Sequence, residues 1–320
     1  KGVFQVSRRA ALALQHVING LPRMGILCLL ALATALIYGL IGRINLAFGE
    51  FAAFGGIAAS LVVVLLASFG FASPPLVGIA ALAGALGITA LAGAVTGRTI
   101  LWPLSAGRGE RASGQPLLVA GVGLLVVVQE GLRLAQGGGT IWLQPVAGEP
   151  WLLASARGFD VLAHPRLLIM VVLDWLAIGL TLYAMKKTPL GRAWRASADD
   201  PLAASLCGVD PKRLLILVSA LATMLAGLAG ATITLNYGGM HFSGGTMLGL
   251  TGLIAAILGG IGSLGGAVLG GIVIATFQIG WFALQQIAHW ELATFTLLTL
   301  ALILKPGGFF GYSDGAMRKI

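Results

Sequence analysis

Nine apolar runs, most of them close to twenty residues long, divide this chain and limit what it can fold into. They cover roughly 24–41, 44–69, 75–95, 116–135, 166–185, 213–235, 246–262, 264–285 and 290–305. About twenty apolar residues in a helix span the hydrocarbon core of a bilayer. Lipid admits only helices or closed barrels, and these runs lack the alternation of barrel strands. We therefore predict an all-α, polytopic membrane protein with about eight to nine transmembrane or partly re-entrant helices, as a single domain over residues 1–320.

The charge of the chain is explained by membrane topology and not by nucleic-acid binding. Hydrophobic residues make up 58% of the sequence and charged residues only 10%, against about 25% charged in soluble domains. The formal net charge is +9, but the Lys and Arg residues cluster in short loops between apolar runs, as they do on the cytoplasmic side of membrane proteins. We therefore predict the lipid bilayer as a partner and no nucleic acid. The cysteines and histidines show no metal-ligand spacing, so no metal site is predicted.

Loop charge sets the predicted orientation in the membrane. Loops rich in Lys and Arg are placed in the cytoplasm: 96–115, 186–213 and the C-terminal tail. Loops poor in cations are placed outside: 70–74, 136–165 and 236–245. Nine crossings then put the N-terminus outside, although its cations favour the inside: Lys1, Arg8, Arg9 and Arg23. Either Arg9–Pro22 lies along the membrane surface, or one apolar run does not cross.

Two apolar runs contain features that interrupt a helix. The run 44–69 is long enough to include a break, and the tract 246–285 is divided by the sequence GGIGSLGG. Gly260–Gly265 also spells GxGxxG, the dinucleotide-binding fingerprint, which requires a preceding strand, a following helix and an acidic residue about 20 positions later. The tract is a membrane run without such an acid, so we interpret these glycines as a turn or a broken helix. GxxxG pairs at Gly93–Gly97 and Gly266–Gly270 have the spacing of close helix packing, or occur by chance in a glycine-rich chain.

Charged side chains inside the apolar runs mark candidate sites, since a charge at the bilayer centre costs about 2.5–3.5 kcal/mol on insertion scales. Glu130 and Arg133 lie three residues apart near a predicted outer end, where a structural ion pair is the favoured interpretation. Asp174 is expected to be satisfied by neighbouring helices. Glu50 follows Asn45 on a run with few other polar groups, and it either lines a water-filled path or caps a broken helix.

The longest charged interval, residues 186–213, lies between two apolar runs and is called the charged loop below. Thr188–Pro189 has the N-cap and first-position residues of a short helix that is predicted to run to about Arg195. Asp200–Pro201 repeats this signal, and Gly208 supplies a left-handed stop after a helix over Pro201–Cys207.

The second helix of the charged loop carries small side chains at Ala203, Ala204 and Ser205. Such a face lets another protein surface close onto it. An ordinary amphipathic loop is the alternative, but it does not account for two capped short helices in so short an interval. The charged loop is therefore predicted to be a docking element.

At this loop the chain resembles a known family. TPLGRAWRASADDPLAASLCGVDPKR resembles the EAA-type cytoplasmic coupling loop of bacterial ABC importer permeases, in the form carried by branched-chain amino-acid permeases of the LivH type. LIAAILGGIGSLGGAVLGG matches the glycine tract of that family closely. The likeness extends to three more stretches: INGLPRMGILCLLALATALIYGLIGRINLAFGE, PLLVAGVGLLVVVQEGLRLAQGG and LILKPGGFFG. It covers about residues 15–311, and Phe48 and Glu130 depart from the family pattern.

The resemblance implies a multi-pass permease subunit of the bacterial inner membrane, with branched-chain or related amino acids as cargo. Its implied partners are a homologous second permease subunit, a periplasmic substrate-binding protein and two cytoplasmic ATP-binding subunits. The chain itself is then no enzyme and needs no cofactor, because ATP hydrolysis belongs to the partner subunits. Urea, short-chain amides and aromatic acids are alternative cargoes within the family. An ion-coupled secondary transporter is the rival from another class, and paired acids on two repeats would indicate it.

The resemblance also assigns roles to residues. Those expected to couple transport to the ATPases are Asp199, Asp200, Ala203, Ala204 and Gly208. Those expected near the translocation path are Asn45, Glu50, Gln129 and Glu130. Asn45 and Glu50 match the second-helix motif of the family, and Gln129–Glu130 stands where the family has a Gln-Asn-like pair.

Overall fold

The computed structural model describes residues 4–5, 8–71, 73–105, 115–137, 139–143, 151–156, 159–260, 262–284, 289–305 and 308–309. Its helices, in chain order, are α1 (Arg8–Ile41), α2 (Phe48–Ser68), α3 (Pro74–Thr96), α4 (Trp102–Ser105), α5 (Gln115–Gln136), α6 (Pro165–Lys187), α7 (Pro189–Asp199), α8 (Pro201–Leu206), α9 (Pro211–Tyr237), α10 (Gly244–Gly259), α11 (Leu264–Leu284) and α12 (Trp290–Leu304). A π-helix at Gly97–Leu101 connects α3 to α4. The strands are β1 (Phe4–Gln5), β2 (Trp151–Ala156) and β3 (Phe159–Ala163).

Over its described residues, each apolar run of the sequence is mostly helical, which confirms the all-α, polytopic prediction. Within the described residues, seven helices are long and apolar enough to cross a membrane, and α10 and α12 are shorter apolar helices. The break expected in the run 44–69 is present, since residues 44–47 are not helical and α2 begins at Phe48. The glycine tract is also broken, because α10 ends at Gly259 and Gly260 has a φ of +103°.

Helices α1 and α9 form the centre of the protein. In each, 72% of the residues in the most apolar stretch are buried, against 17% for α5 and 28% for α3 and α6. The central core joins apolar side chains of α1, such as Leu29 and Leu36, to Val218 and Leu225 of α9. The outer faces of α3, α5 and α6 carry exposed apolar side chains, which suits contact with lipid.

Glycines bring α2 and α9 into backbone contact. A Cβ added to Gly55 of α2 would collide with the backbone of Gly227. One added to Gly230 of α9 would collide with the carbonyl of Ala52. Small residues at these positions therefore set the separation of the two helices, as is usual where helices associate in lipid.

The two GxxxG pairs are both contact sites. Gly93 of α3 and Gly97, the first residue of the π-helix, both pack against Ser219 of α9. Gly266–Gly270 of α11 packs against α10, where Gly270 meets the Ala255 carbonyl. Their spacing is thus used for packing and is not accidental.

The two ends of α1 fix the orientation of the chain relative to the charged loop. Near its C-terminal end, the Leu36 carbonyl accepts a hydrogen bond from Trp194 of α7 at 2.9 Å. Near its N-terminal end, Gln15 exchanges two hydrogen bonds with the backbone of Leu162 in β3, at 3.1 and 3.0 Å. The charged loop and β3 therefore lie at opposite ends of α1. The placement of the charged loop in the cytoplasm, and with it of the N-terminal end of α1 outside, stays a prediction. Arg9–Pro22 is not a separate surface segment, because α1 continues through it.

A small sheet lies at the N-terminal end of α1, and the sequence did not predict it. β2 pairs in parallel with β1 and antiparallel with β3. Val161 and Ala163 of β3 pack against Ala11 and Ile18 of α1. The sheet covers this end of α1 and leaves the helical fold class unchanged.

Candidate functional site

The charged loop folds into two short helices, as the sequence predicts. Asp200 starts α8, because its Oδ1 accepts hydrogen bonds from the backbone N–H groups of Leu202 and Ala203 at 2.8 and 3.0 Å. This side-chain cap confirms the predicted start of α8. α7 is longer than predicted, since it runs over Pro189–Asp199 and does not end near Arg195.

Thr188 does not cap α7 with its side chain. Its Oγ1 donates a hydrogen bond to the Ala184 carbonyl at 2.7 Å, which ties Thr188 to the end of α6. Pro189 at the first position of α7 still supplies the start signal, because its fixed φ suits a helix and it lacks an N–H to satisfy. The predicted helix and its N-cap position at Thr188 are confirmed, but the Thr188 side chain makes no capping hydrogen bond.

Gly208 ends α8 as predicted. Its φ is +90°, a left-handed conformation that glycine adopts without strain. The Gly208 N–H donates to the Ser205 carbonyl, and the Val209 N–H donates to the Ala204 carbonyl, both at 3.1 Å. These two bonds form a Schellman motif, which closes the C-terminal end of the helix.

A third cap starts α9 and was not predicted. Asp210 Oδ1 accepts from the N–H groups of Lys212 and Arg213 at 3.0 and 3.1 Å, and its carboxylate pairs with the Arg213 guanidinium at 3.2 Å. The signal was available in the sequence, because Asp210–Pro211 repeats the pattern of Asp200–Pro201. The junctions at Asp200, Gly208 and Asp210 are therefore all held by bonds between near neighbours.

The surface that α8 offers to a partner differs from the predicted one. Ala204 is 4% exposed and faces its own chain, so another protein cannot contact it. The exposed apolar side chains of α8 are Leu202 and Leu206, at 70% and 81% exposure. They lie four residues apart and share one face of the helix. Asp199 and Ala203 are exposed as well, and their role in coupling stays a prediction.

α7 is anchored to α1 through Trp194, a residue that the sequence analysis did not single out. The side chain is buried, its Nε1 donates to the Leu36 carbonyl at 2.9 Å, and its ring covers Gly39. Gly191 packs on the backbone of Met185 at the end of α6. α7 is therefore in direct contact with both α1 and α6. The available signal was a single tryptophan on a short, charged helix.

Glu50 lies where the N-termini of two helices meet. It is in the first turn of α2, and its Oε1 accepts a hydrogen bond at 2.6 Å from Thr246 Oγ1, in the first turn of α10. Glu50 is fully buried, and its Oε2 lies against Gly245 without a hydrogen-bond partner among the described residues. Helix N-termini carry partial positive charge, which stabilises a carboxylate. We call this contact the α2–α10 junction. Neither helix has a side-chain cap hydrogen bond there, so the path-lining and helix-capping interpretations of Glu50 both stay predictions.

The four residues expected near the path do not form one cluster. Asn45 accepts a backbone hydrogen bond that shapes the turn before α2, and it lies next to Gly121 of α5. Gln129 is two helical turns further along α5, a rise of about 12 Å. Glu130 is half-exposed and pairs with Arg133 at 2.6 Å, as the structural interpretation expects. Their contact with substrate stays a prediction.

Asp174 of α6 is, like Glu50, fully buried. Its Oδ1 accepts a hydrogen bond from Thr232 Oγ1 of α9 at 2.8 Å, and its Oδ2 lies against Gly25 of α1. Neighbouring helices therefore satisfy one oxygen, as predicted, while Oδ2 has no hydrogen-bond partner among the described residues. The carboxylate links α6 to both central helices.

Comparison with known protein families gives a match to the part of the chain that contains these sites. Residues 16–304 match the family described as "Branched-chain amino acid transport system / permease component". The chain belongs to this family. The match extends from within α1 to the end of α12, so it includes the charged loop, the α2–α10 junction and the glycine tract.

Individual relatives agree with this assignment. The permease is 29% identical over 299 residues to the high-affinity branched-chain amino acid transport system permease protein BraD of Pseudomonas aeruginosa, which covers 93% of this chain and 95% of BraD. It is 27% identical over 307 residues to the LivH protein of the same description from Salmonella typhimurium, with the same coverage. A shorter match of 29% over 140 residues covers 42% of this chain and 38% of the fructose import permease protein FrcC of Rhizobium meliloti.

Family membership and the seven candidate spans make this chain a multi-pass permease of the inner membrane. The family is that of ABC transporter permeases, which associate with ATP-binding and substrate-binding components. The resemblance drawn from the charged loop and the glycine tract is confirmed.

Proposed function

We propose that this chain is the membrane subunit of an ATP-driven importer of branched-chain or closely related amino acids. A periplasmic binding protein delivers the substrate, a homologous permease completes the pathway, and two cytoplasmic ATPases supply the energy. The chain forms one membrane domain and catalyses no chemical step. BraD and LivH support this cargo, because their names specify branched-chain amino acids and they match nearly the whole chain, whereas the fructose permease matches less than half.

The exposed leucine face of α8 is the observation that carries the proposal. Leu202 and Leu206 are 70% and 81% exposed at the end of the protein that bears the loop cations. Apolar side chains surrounded by charged ones are typical of protein contact sites. Asp199 and Asp200 precede α8, and Arg213 follows it. We assign this face to a groove on an ATPase subunit, with the surrounding charges fixing its register.

The contacts of α7 supply a mechanical connection from α8 to the membrane helices. Asp200 is the single residue between α7 and α8, so a load on α8 reaches α7 directly. Trp194 passes it to Leu36 of α1, and Arg195 donates a hydrogen bond to the Met185 carbonyl of α6. Closure of the ATPases then moves α1 and α6 together and opens the pathway alternately to each side. Substrate passes without covalent change.

Uptake by the reconstituted complex tests the proposal. Proteoliposomes containing the permease, its partner subunits and the binding protein are supplied with ATP and labelled leucine. A Leu202→Asp, Leu206→Asp double variant should take up leucine about tenfold more slowly or worse, because charges replace the apolar contact. The Leu202→Met, Leu206→Met double variant is the matched control and should transport at close to the wild-type rate.

Three outcomes would contradict parts of the proposal. Normal uptake by the double aspartate variant rejects α8 as the docking element. Uptake that continues without ATP and stops when the ion gradient is collapsed supports a secondary transporter instead. A labelled panel that includes urea, amides, aromatic acids and fructose rejects the amino-acid cargo if leucine and its analogues are not taken up.

A further inference from the structure

A cavity of about 280 Å³ lies between α1, α9, α10 and α12. Much of its wall is aliphatic, with Ile26 and Leu27 from α1, Ile233 from α9 and Leu248 from α10. Arg23 is the charged side chain among the described residues that line it. Small-molecule pockets usually measure about 300–1,000 Å³, so this one suits a ligand smaller than a drug-sized molecule.

Arg23 is held in place by buried and aromatic side chains. Its Nε donates a hydrogen bond to Gln278 Oε1 at 2.6 Å, and Gln278, itself fully buried, donates to Thr294 at 3.1 Å. The guanidinium lies over the rings of Phe282 and Trp290, 5.1 and 4.7 Å from their centroids. These contacts use the Nε–H group and the faces of the guanidinium and restrict its rotation.

No carboxylate pairs with Arg23 in the part of the chain that the structure describes, and its terminal nitrogens have no protein acceptor there. Cations within membrane helices are usually paired or face water. A guanidinium binds a carboxylate through two parallel N–H···O bonds. With respect to the described residues, Arg23 therefore has an unused carboxylate-binding edge beside an aliphatic cavity.

Tyr237 contributes a hydroxyl to the cavity wall, and so does Thr251. Its Oγ1 donates a hydrogen bond to the Met247 carbonyl at 2.8 Å, so its only proton is used. The lone pairs of the hydroxyl oxygen stay available as acceptors. An ammonium group, which only donates hydrogen bonds, is a suitable partner for this oxygen.

We propose that this cavity is a binding site for a small apolar carboxylate, with Arg23 binding the carboxylate and the aliphatic wall receiving the hydrocarbon chain. A transported amino acid and a fatty acid from the bilayer share this chemistry. Thr251 favours the amino acid, because it accepts an ammonium N–H. That identification of the ligand rests on the proposed function, while the site itself rests on the cavity and on Arg23.

Equilibrium binding to the full permease complex in lipid nanodiscs, without the binding protein, tests the site. Labelled leucine is competed with 4-methylpentanoate, which lacks the ammonium group, with leucinamide, which lacks the carboxylate, and with palmitate. Leucine should bind saturably, 4-methylpentanoate should displace it and leucinamide should not. If palmitate binds saturably through Arg23 and leucine does not, the carboxylate-binding site is confirmed and its ligand is a fatty acid from the bilayer.

Matched variants separate the cavity from general effects on folding. Arg23→Met should weaken binding about thirtyfold or more, because the carboxylate of the bound ligand loses its guanidinium partner. Met247→Trp should also abolish binding by filling the cavity from a half-exposed position, with Arg23 intact. Thr251→Val should weaken leucine binding and leave that of 4-methylpentanoate unchanged. Arg98→Met makes the same exchange at an exposed residue outside the cavity and should bind like the wild type.

Two results would overturn the site: leucinamide binding as tightly as leucine, or unchanged binding in both Arg23→Met and Met247→Trp. Uptake by the wild-type complex is measured in parallel, so the two proposals fail separately. If the complex takes up leucine but its leucine binding does not depend on Arg23, the cavity proposal is rejected and the importer proposal stands. If the carboxylates bind in an Arg23-dependent way but the complex shows no ATP-driven uptake, the importer proposal is rejected and the cavity proposal stands.

Discussion

The charged loop and the α2–α10 junction both hold acidic side chains at helix N-termini, but their hydrogen-bond partners lie at very different distances along the chain. Asp200 bonds the amides of Leu202 and Ala203, two and three residues away. Glu50 bonds Thr246, 196 residues away. The first acid is exposed and the second is fully buried.

This difference separates two kinds of polar group in a membrane protein. The hydrogen bonds of a cap within the charged loop form once that short segment folds, so they stabilise that segment alone. Glu50 obtains its partner only when α10 packs on α2, so its energy belongs to the assembled helices. Loss of a cap in the charged loop should therefore affect only the segment that it starts. Loss of a contact at the α2–α10 junction should lower the stability of the whole protein.

The largest expected effect is at a backbone contact near the junction. Gly230→Val should prevent stable folding, because its Cβ would collide with the Ala52 carbonyl, which cannot move aside as a flexible side chain can. A loss of about 4 kcal/mol or more is expected. Recovery of monodisperse protein after detergent extraction measures it. Gly87→Val is the matched control, since nothing lies within 4 Å of a Cβ at that position. Equal recovery of both variants would contradict the glycine-controlled packing of α2 and α9.

An intermediate effect is expected at Glu50. Glu50→Leu removes the acceptor of Thr246 and leaves two helix N-termini without a carboxylate, which should cost about 1–3 kcal/mol and lower the melting temperature of the purified protein. Glu50→Gln keeps a carbonyl acceptor for Thr246 and should lose less. The pair Glu50→Leu, Thr246→Val should recover part of the loss, because no hydroxyl is left unpaired.

The same variant decides between the two interpretations of Glu50. If Glu50→Leu assembles and melts like the wild type but transports poorly, Glu50 belongs to the path and the junction is not structural.

The smallest effect on stability is expected in the charged loop. Asp200→Ala removes the cap of α8 at a cost of about 1 kcal/mol, so the melting temperature of the whole protein should hardly change. Leucine uptake should nevertheless fall while ATP hydrolysis by the complex continues, because α8 is no longer held in its docking geometry. Asp200→Asn can still accept the two amide bonds and should keep most of the uptake. A melting temperature lowered as much as in Glu50→Leu would remove the distinction between local and assembled contacts.

Features that depend on near neighbours could be predicted from the sequence. The apolar runs, the break before Phe48, the turn after Gly259, the Asp200 cap and the Gly208 stop all follow from composition and from the conformational limits of a few adjacent residues. The family resemblance has the same origin, because the charged loop and the glycine tract are short segments with local constraints.

Features that depend on packing could not be predicted in this way. The sequence made Ala204 a docking residue, and the structure buries it and exposes Leu202 and Leu206. Which side of a six-residue helix faces the protein is set by the helices beneath it. Trp194 was missed for the same reason, because its importance comes from the Leu36 carbonyl, 158 residues away.

By itself the sequence determined that this chain is a bundle of membrane helices with a capped loop between two of them. Hydrophobic length and backbone geometry are properties of short segments, and they act before any tertiary contact exists. Only the tertiary structure decided that Glu50 joins α2 to α10 and that Arg23 lies beside a cavity. It also decided that Gly230 packs against the backbone of another helix while Gly87 has open space beside it. Those outcomes depend on which helices meet, and many arrangements of nine similar apolar runs satisfy the same local rules.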